Sequence, residues 1–274
     1  MRLLAIVLVV PAVIALVAGD SSQALAFTAT GVAAGTVGLL AGRERLPELG
    51  QREAIVVTAL AYPLAALLGV PAFMTVGSPV DALFESMSGF TTTGLSVMDE
   101  AMLPVSLLFF RAYSQWLGGL GIIVLSLVLL AGTGSAAAKL YSSEFGERNM
   151  LGSVLGVGRV ISIVYAGLTV LAVVALITAG AGRLDAVLHA LALVSTGGFS
   201  PFADSIGAYD SAAISAVSIV FMVFAALSFP LYYLTWRIGW RRLVGDTQLR
   251  LLLLLLFAGA AAAVAFEGWG VPMP

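Results

Sequence analysis

The stretches "DALFESMSGFTTTGLS", from Asp81 to Ser96, and "DAVLHALALVSTGGFS", from Asp185 to Ser200, decide the fold. They superimpose without a gap at an offset of 104 residues, with Asp81 on Asp185, Ala82 on Ala186, Thr92 on Thr196, Gly94 on Gly198 and Ser96 on Ser200. Thr91 falls opposite Ser195, and Leu95 opposite Phe199. Each stretch opens with about ten residues of helical character, half of what crosses a bilayer, and then passes into Thr, Ser and Gly. Irregular backbone at membrane depth is tolerated only against protein or a water-filled path. A duplicated unit of helix, half-helix, loop and helix is therefore expected.

The first half-helix is well signed at its start. Ser78 is an N-cap residue, Pro79 suits the first helical position, and Asp81 falls where a capping-box acid would stand, at the positive end of the dipole. The partially negative end then points at the loop, where it would stabilise a cation. Replacing the hydration shell of a monovalent cation takes a ring of oxygen dipoles, which backbone carbonyls and threonine hydroxyls provide. Turning successive carbonyls to one axis requires backbone angles that glycine adopts cheaply, a role for Gly94 and Gly198. Small residues also serve close helix packing in membranes, but two matched Thr-x-Gly loops after matched half-helices favour the ion-binding reading.

Working outward, 60% of the 274 residues are apolar and 10% charged, so lipid is the solvent for most of the chain. Apolar runs of spanning length lie at Leu3 to Gly19, Ala24 to Ala41, Ala54 to Phe73, Pro104 to Leu130, Val160 to Ala179, Ala212 to Trp236 and Leu249 to Phe266, giving seven expected spans. The first run, with Arg2 before it and Ala24-Leu25-Ala26 after, has some features of a signal peptide but is longer than the usual apolar region of one. With no cysteine there is neither a disulfide frame nor a thiolate metal site, and a net charge of -2 disfavours nucleic acid as a partner.

A cytoplasmic N-terminus gathers Arg2, Arg43, Arg45, Arg52, Lys139, Arg148, Arg159, Arg237, Arg241, Arg242 and Arg250 in inner loops, leaving Arg183 in an outer one. Asp20, Asp81, Asp99, Glu100, Asp185, Asp204, Asp210 and Glu267 then gather outside, where they would draw cations or simply keep the loops soluble. Expected localisation is the cytoplasmic membrane, multi-pass.

Together "SGFTTTGLS", "STGGFS" and "FRAYSQWLGGLGIIVLSLVLL" resemble the TrkH/KtrB superfamily of potassium transporters and channels, and "FMVFAALSFPLYYLTWRIGWRRLVGDTQLR" is similar to that family's helix and turn after its second filter. The resemblance implies an all-α polytopic membrane protein with potassium-channel-like units around one pore. It places two leading helices at 1–53, a first pore unit at 54–136, a cytoplasmic linker at 137–158, a second pore unit at 159–248 and, at 249–274, the opening helix of an incomplete third unit. It assigns Thr91, Thr92, Thr93, Gly94 and Leu95, with Ser195, Thr196, Gly197, Gly198 and Phe199, to the selectivity filter. Potassium, the transported ion, would bind the carbonyls of Thr92, Thr93, Gly94, Thr196, Gly197 and Gly198, with no other cofactor. Two such strands do not surround an ion, so a second copy, a TrkH-like second chain, or a longer gene product would complete four. A cytoplasmic TrkA/KtrA-like nucleotide-binding subunit is the implied regulator.

Other residues follow from physical chemistry. Arg111 lies inside a spanning helix, where charge demands a partner or a wet cavity, and Glu85 on the first half-helix is the predicted partner; snorkelling to the headgroups is the alternative. His189, at the position matching Glu85, is expected to be buried and structural. Gly118, Gly119 and Gly121 suit close packing or a hinge. Gly31, Gly35, Gly38 and Gly42, and Gly152 and Gly156, have the spacing of helix contacts. The chain has no Walker loop, His-Glu-x-x-His site or Gly-x-Ser-x-Gly elbow, so an enzyme is not expected. Ion-coupled symport is the main rival to a pore, because broken helices in repeats also build transporter sites; there the repeats are usually inverted. A non-conducting half subunit is the third reading.

Overall fold

A computed structural model describes residues 2–41, 51–132, 150–227, 231, 232, 235, 239 and 245–268. Among these all regular secondary structure is helical. Arg43, Arg45, Lys139, Arg148, Arg237, Arg241, Arg242 and Gly42 lie outside the described residues. The chain divides into two units, Met1–Ala225 and Ala226–Pro274.

The first unit opens with α1 (Arg2–Val7) and α2 (Val9–Ala18) in place of one continuous helix. Pro11 explains the break: it has no N–H to bond back, and its ring crowds the carbonyl of Val7. Gly19, in the left-handed region at φ +81°, ends α2, and α3 (Ser21–Ala41) returns beside it. Ideal Cβ atoms on Gly31 and Gly35 would meet α1 at 3.6–3.7 Å, ordinary contact distance, so these glycines are not forced by crowding.

α4 (Gln51–Phe73) leads to the half-helix α5 (Pro79–Phe90) and on to α6 (Val105–Gly132). The leading hairpin is fastened to this unit rather than lying loose beside it. The Asp20 carboxylate accepts the Ser106 N–H at 3.0 Å, covering an unpaired donor in the first turn of α6, and Gln23 donates to the Thr75 hydroxyl at 2.8 Å. Four helices each send one ring to a common core: Phe110 lies 4.9 Å from Phe27, 5.7 Å from Phe73 and 6.2 Å from Phe90, centroid to centroid.

α7 (Met150–Thr178), the half-helix α8 (Arg183–Val194) and α9 (Ala212–Ala226) repeat the pattern. Residues 150–158, in the stretch expected as linker, are helical, Gly152 and Gly156 with them, and the sequence there contains no proline to break the helix. The Trp116 indole donates to Thr169 at 2.9 Å and the Tyr165 hydroxyl to the Trp116 carbonyl at 3.0 Å, joining α7 to α6.

In the second unit, α10 (Thr247–Gly268) has the Asp246 carboxylate over the Gln248 N–H at 2.8 Å and exposes Leu251, Leu254 and Phe257. A helix apolar all round is one that meets lipid or other helices.

By length and composition three helices among the described residues are fit to cross a membrane, Ser21–Ala41, Gly158–Thr178 and Thr247–Ala265. Shorter apolar helical stretches among the described residues lie at Ala5–Ala18, Ala59–Phe73 and Ala212–Ala226.

Candidate ion-filter site

Both half-helices are 12 residues long and start and stop at the same repeat offset, Pro79 with Arg183 and Phe90 with Val194. At 1.5 Å per residue each is about 18 Å long, well short of a bilayer core. Ser78 caps α5 as its sequence predicts: its hydroxyl accepts the Asp81 N–H at 3.2 Å and donates to the Asp81 carboxylate at 2.7 Å. The matching residue before α8 is Gly182, where a Cβ would stand 2.8 Å from the Asp185 carboxylate.

The two C-termini are built alike. Thr92 N–H bonds to Gly89 O and Thr93 N–H to Ser88 O; Thr196 N–H bonds to Leu193 O and Gly197 N–H to Ala192 O. This is the Schellman pattern, and its left-handed position, ordinarily glycine, is threonine in both repeats, at φ +55° for Thr92 and +52° for Thr196. Gly94 at +76° and Gly198 at +92° follow two residues later. Positive φ thus recurs at alternate positions in each loop and again at the repeat offset. The sequence reading found the glycines but not the threonines, for which a β-branched side chain gives no warning. Such strain is of order 1–3 kcal/mol per residue and persists where surroundings impose it. Thr92→Gly is accordingly expected to raise thermal stability by about 1 kcal/mol while lowering cation discrimination, read by a melting curve beside an uptake assay.

Alternation leaves the carbonyls free. Among the described residues, the carbonyl oxygens of Thr92, Thr93, Gly94, Thr196, Gly197 and Gly198 accept no hydrogen bond from protein. The Leu95 carbonyl is occupied, by the Ser88 hydroxyl at 2.6 Å, and the Ser195 carbonyl by the Thr196 hydroxyl at 2.7 Å. Thr91 and Thr93 bond to each other through their hydroxyls at 2.8 Å. The loops also touch: the Gly197 carbonyl oxygen lies 2.0 Å from where a Cβ on Gly94 would stand. Leu95 is 62% exposed whereas Phe199 is buried, so these matched positions face different surroundings.

Behind the first loop, Glu85 is fully buried. Its Oε1 accepts from the Ser96 hydroxyl at 2.5 Å, Val97 N–H at 2.8 Å and Met98 N–H at 3.2 Å, clamping the chain as it leaves the loop. Its Oε2 stands 3.4 Å from Arg111 Nε. Arg111 is buried and does not snorkel; it also bonds Glu100 at 3.0 Å and lies 4.3 Å over the Phe199 ring. Glu100 and Phe199 as partners of Arg111 were not legible in sequence, since the one enters from a short helical turn at 100–102 and the other from the second repeat.

His189 is buried against Phe202 and Tyr209, ring centroids 6.2 and 5.6 Å away, in place of an ion pair. In the turn at 205–209, burial and the nearby Asp185 carboxylate push the Tyr209 phenol up to about 12, so it stays neutral. Gly118 and Gly119 of α6 seat both half-helices. A Cβ on Gly118 would meet the Phe90 carbonyl at 1.9 Å, and one on Gly119 would meet Ser195 at 3.1 Å. Close packing therefore accounts for both.

These elements define an all-α polytopic membrane protein with a duplicated half-helix and loop. A family model described as "TrkH: Cation transport protein" matches residues 66–273. The Trk system potassium uptake protein TrkH of Halomonas elongata is 34% identical over 283 residues, covering 98% of this chain and 58% of that protein. TrkG of Escherichia coli K12, named a Trk system potassium uptake protein, is 34% identical over 200 residues, 71% of this chain and 41% of that one. The crystal structure of the potassium transporter TrkH from Vibrio parahaemolyticus superposes with a TM-score of 0.78 at 27% identity, covering 92% of this chain and 54% of that chain. The chain belongs to the TrkH family of cation transport proteins. It spans about half the length of the relatives it matches.

Proposed function

We propose that the chain contributes two filter strands to a potassium-conducting pore of a Trk-type uptake system and is not an enzyme. One observation carries this reading: six loop carbonyls, matched between repeats, accept no hydrogen bond among the described residues where two half-helix C-termini converge. Thr93, Thr196 and Gly198 are exposed and Thr92 and Gly94 half-buried, so a ligand or water can reach these carbonyls, and a dehydrated cation is the ligand that a run of neutral oxygens suits. The filter then comprises residues 91–95 and 195–199, with Glu85 and Arg111 as support. A second copy or a TrkH-like partner chain would supply the remaining strands, and a cytoplasmic nucleotide-binding subunit the regulation. Basic inner loops support a cytoplasmic N-terminus in the cytoplasmic membrane.

Pore units at 54–136 and 159–248, after leading helices at 1–53 and around a linker at 137–158, follow the half-helix repeat. The opening helix of a third unit at 249–274 completes this division. Reversal potentials of the purified assembly in vesicles test the function. The potential is expected to follow the potassium gradient; a shift with the proton or sodium gradient at fixed potassium would replace the pore by symport.

A further inference from the structure

The two adjacent glycines of the second loop answer different needs. Gly198 has open space where a Cβ would go but a positive φ, +92°, so it is glycine for conformation. Gly197 has no positive φ, yet a Cβ there would lie 2.4–2.8 Å from the side-chain carboxamide of Gln115, so it is glycine for room. In the first loop the equivalent position is Thr93, which has space for its side chain. What distinguishes the loops at this position is therefore Gln115, which arrives from α6, the helix of the other repeat.

Gln115 is fully buried, and its Oε1 accepts the Phe199 N–H at 3.1 Å, across 84 residues of sequence. That bond fixes which way the carboxamide faces, because the reversed amide would set donor against donor. The Nε2 then lies against Gly197 with no hydrogen-bond partner among the described residues. One turn earlier on the same face of α6, Arg111 covers the Phe199 ring and pairs with Glu85 of the first half-helix. A single face of α6 thus grips the second loop by a backbone N–H and an aromatic ring, and the first repeat by a carboxylate. The first loop is instead held by side chains of its own repeat, with Ser88 on the Leu95 carbonyl and Glu85 on Ser96 and Val97.

We propose that Gln115 is a specificity-determining positioning residue for the second loop, setting the directions of the Gly197 and Gly198 carbonyls through its hold on the Phe199 N–H and its contact with Gly197. This rests on the pore reading for its effect on ions, but not for its effect on the loop. Selectivity by carbonyl dipoles depends on how many oxygens face the ion and how firmly they are held. Loosening one strand therefore changes discrimination before it changes abundance.

The test uses the full chain in its native assembly. Gln115→Leu removes the acceptor, Gln115→Asn withdraws it by one methylene, and Gln115→Glu keeps an acceptor for the Phe199 N–H. Two quantities are read: amide hydrogen exchange over residues 195–200 against 91–96, and the ratio of rubidium to sodium uptake at matched membrane abundance. Gln115→Leu and Gln115→Asn are expected to speed exchange in 195–200 selectively and to lower the ratio about tenfold, the worth of one hydrogen bond. Gln115→Glu is expected to retain most of both. Should Gln115→Leu fail to reach the membrane, Gln115→Asn carries the comparison. Unchanged exchange and an unchanged ratio in Gln115→Asn would overturn the proposal. Absence of rubidium uptake by the unmodified chain would overturn the pore reading instead, while the exchange contrast still decides whether Gln115 holds the loop.

Discussion

Gly94→Ala is expected to reduce potassium-competed rubidium uptake on the order of a hundredfold, the largest loss from a single methyl group anywhere in the loops. The added Cβ would stand 2.0 Å from the Gly197 carbonyl oxygen and 3.4 Å from Gly198 Cα, so the obstruction is backbone, which no rotamer change can relieve. The same residue sits at φ +76°, where a Cβ is strained whatever the room. Relief requires the two loops to separate, and with them the carbonyls proposed to face one ion. Gly198→Ala is the internal control. It carries the conformational strain alone, of order 1–3 kcal/mol, with no atom within 4 Å of the new methyl. The expected ranking is therefore Gly94→Ala well below Gly198→Ala in uptake, measured at equal abundance. Equal losses would mean that backbone angle alone matters, and that contact between the loops does not.

Arg111→Met is the second large effect, expected to destabilise the purified protein by about 3–5 kcal/mol, because it leaves a buried carboxylate without its cation. Glu85 has no solvent to turn to, and its Oε1 is held by three donors that keep it beneath the loop. Adding Glu85→Gln to Arg111→Met is expected to restore at least about 1 kcal/mol, since the amide keeps the oxygen facing Ser96, Val97 and Met98 but drops the unpaired charge. Thermal denaturation of the two single variants and the double variant forms the cycle. Additive losses would contradict a direct pairing and make Glu100, 3.0 Å from the guanidinium, the partner that counts.

What the sequence made legible was whatever is carried by local pattern. The repeat offset, the cap at Ser78 and Asp81, and the short half-helices needed only neighbouring residues to be read. Arg111 with Glu85 was within reach because a charge in an apolar helix asks for a counter-charge, and few stand at suitable depth. Thr92 and Thr196 were not legible as left-handed residues, since nothing in a threonine announces φ near +50° when the next turn imposes it. Nor could Gly197 be separated from Gly198, because the reason for one lies in Gln115, on a helix of the other repeat. The interruption at Leu8 followed from Pro11 and could have been drawn from sequence, whereas the helical course of residues 150–158 goes with an absence of breakers that a loop expectation passed over.

The ion itself gives the most direct measurement. Anomalous diffraction from crystals of the intact assembly grown in rubidium should place a peak within coordination distance of the carbonyls of residues 92–94 and 196–198, weakened when sodium replaces rubidium. A peak held instead by the outer carboxylates, or none between the two loops under conditions that support uptake, would contradict the account.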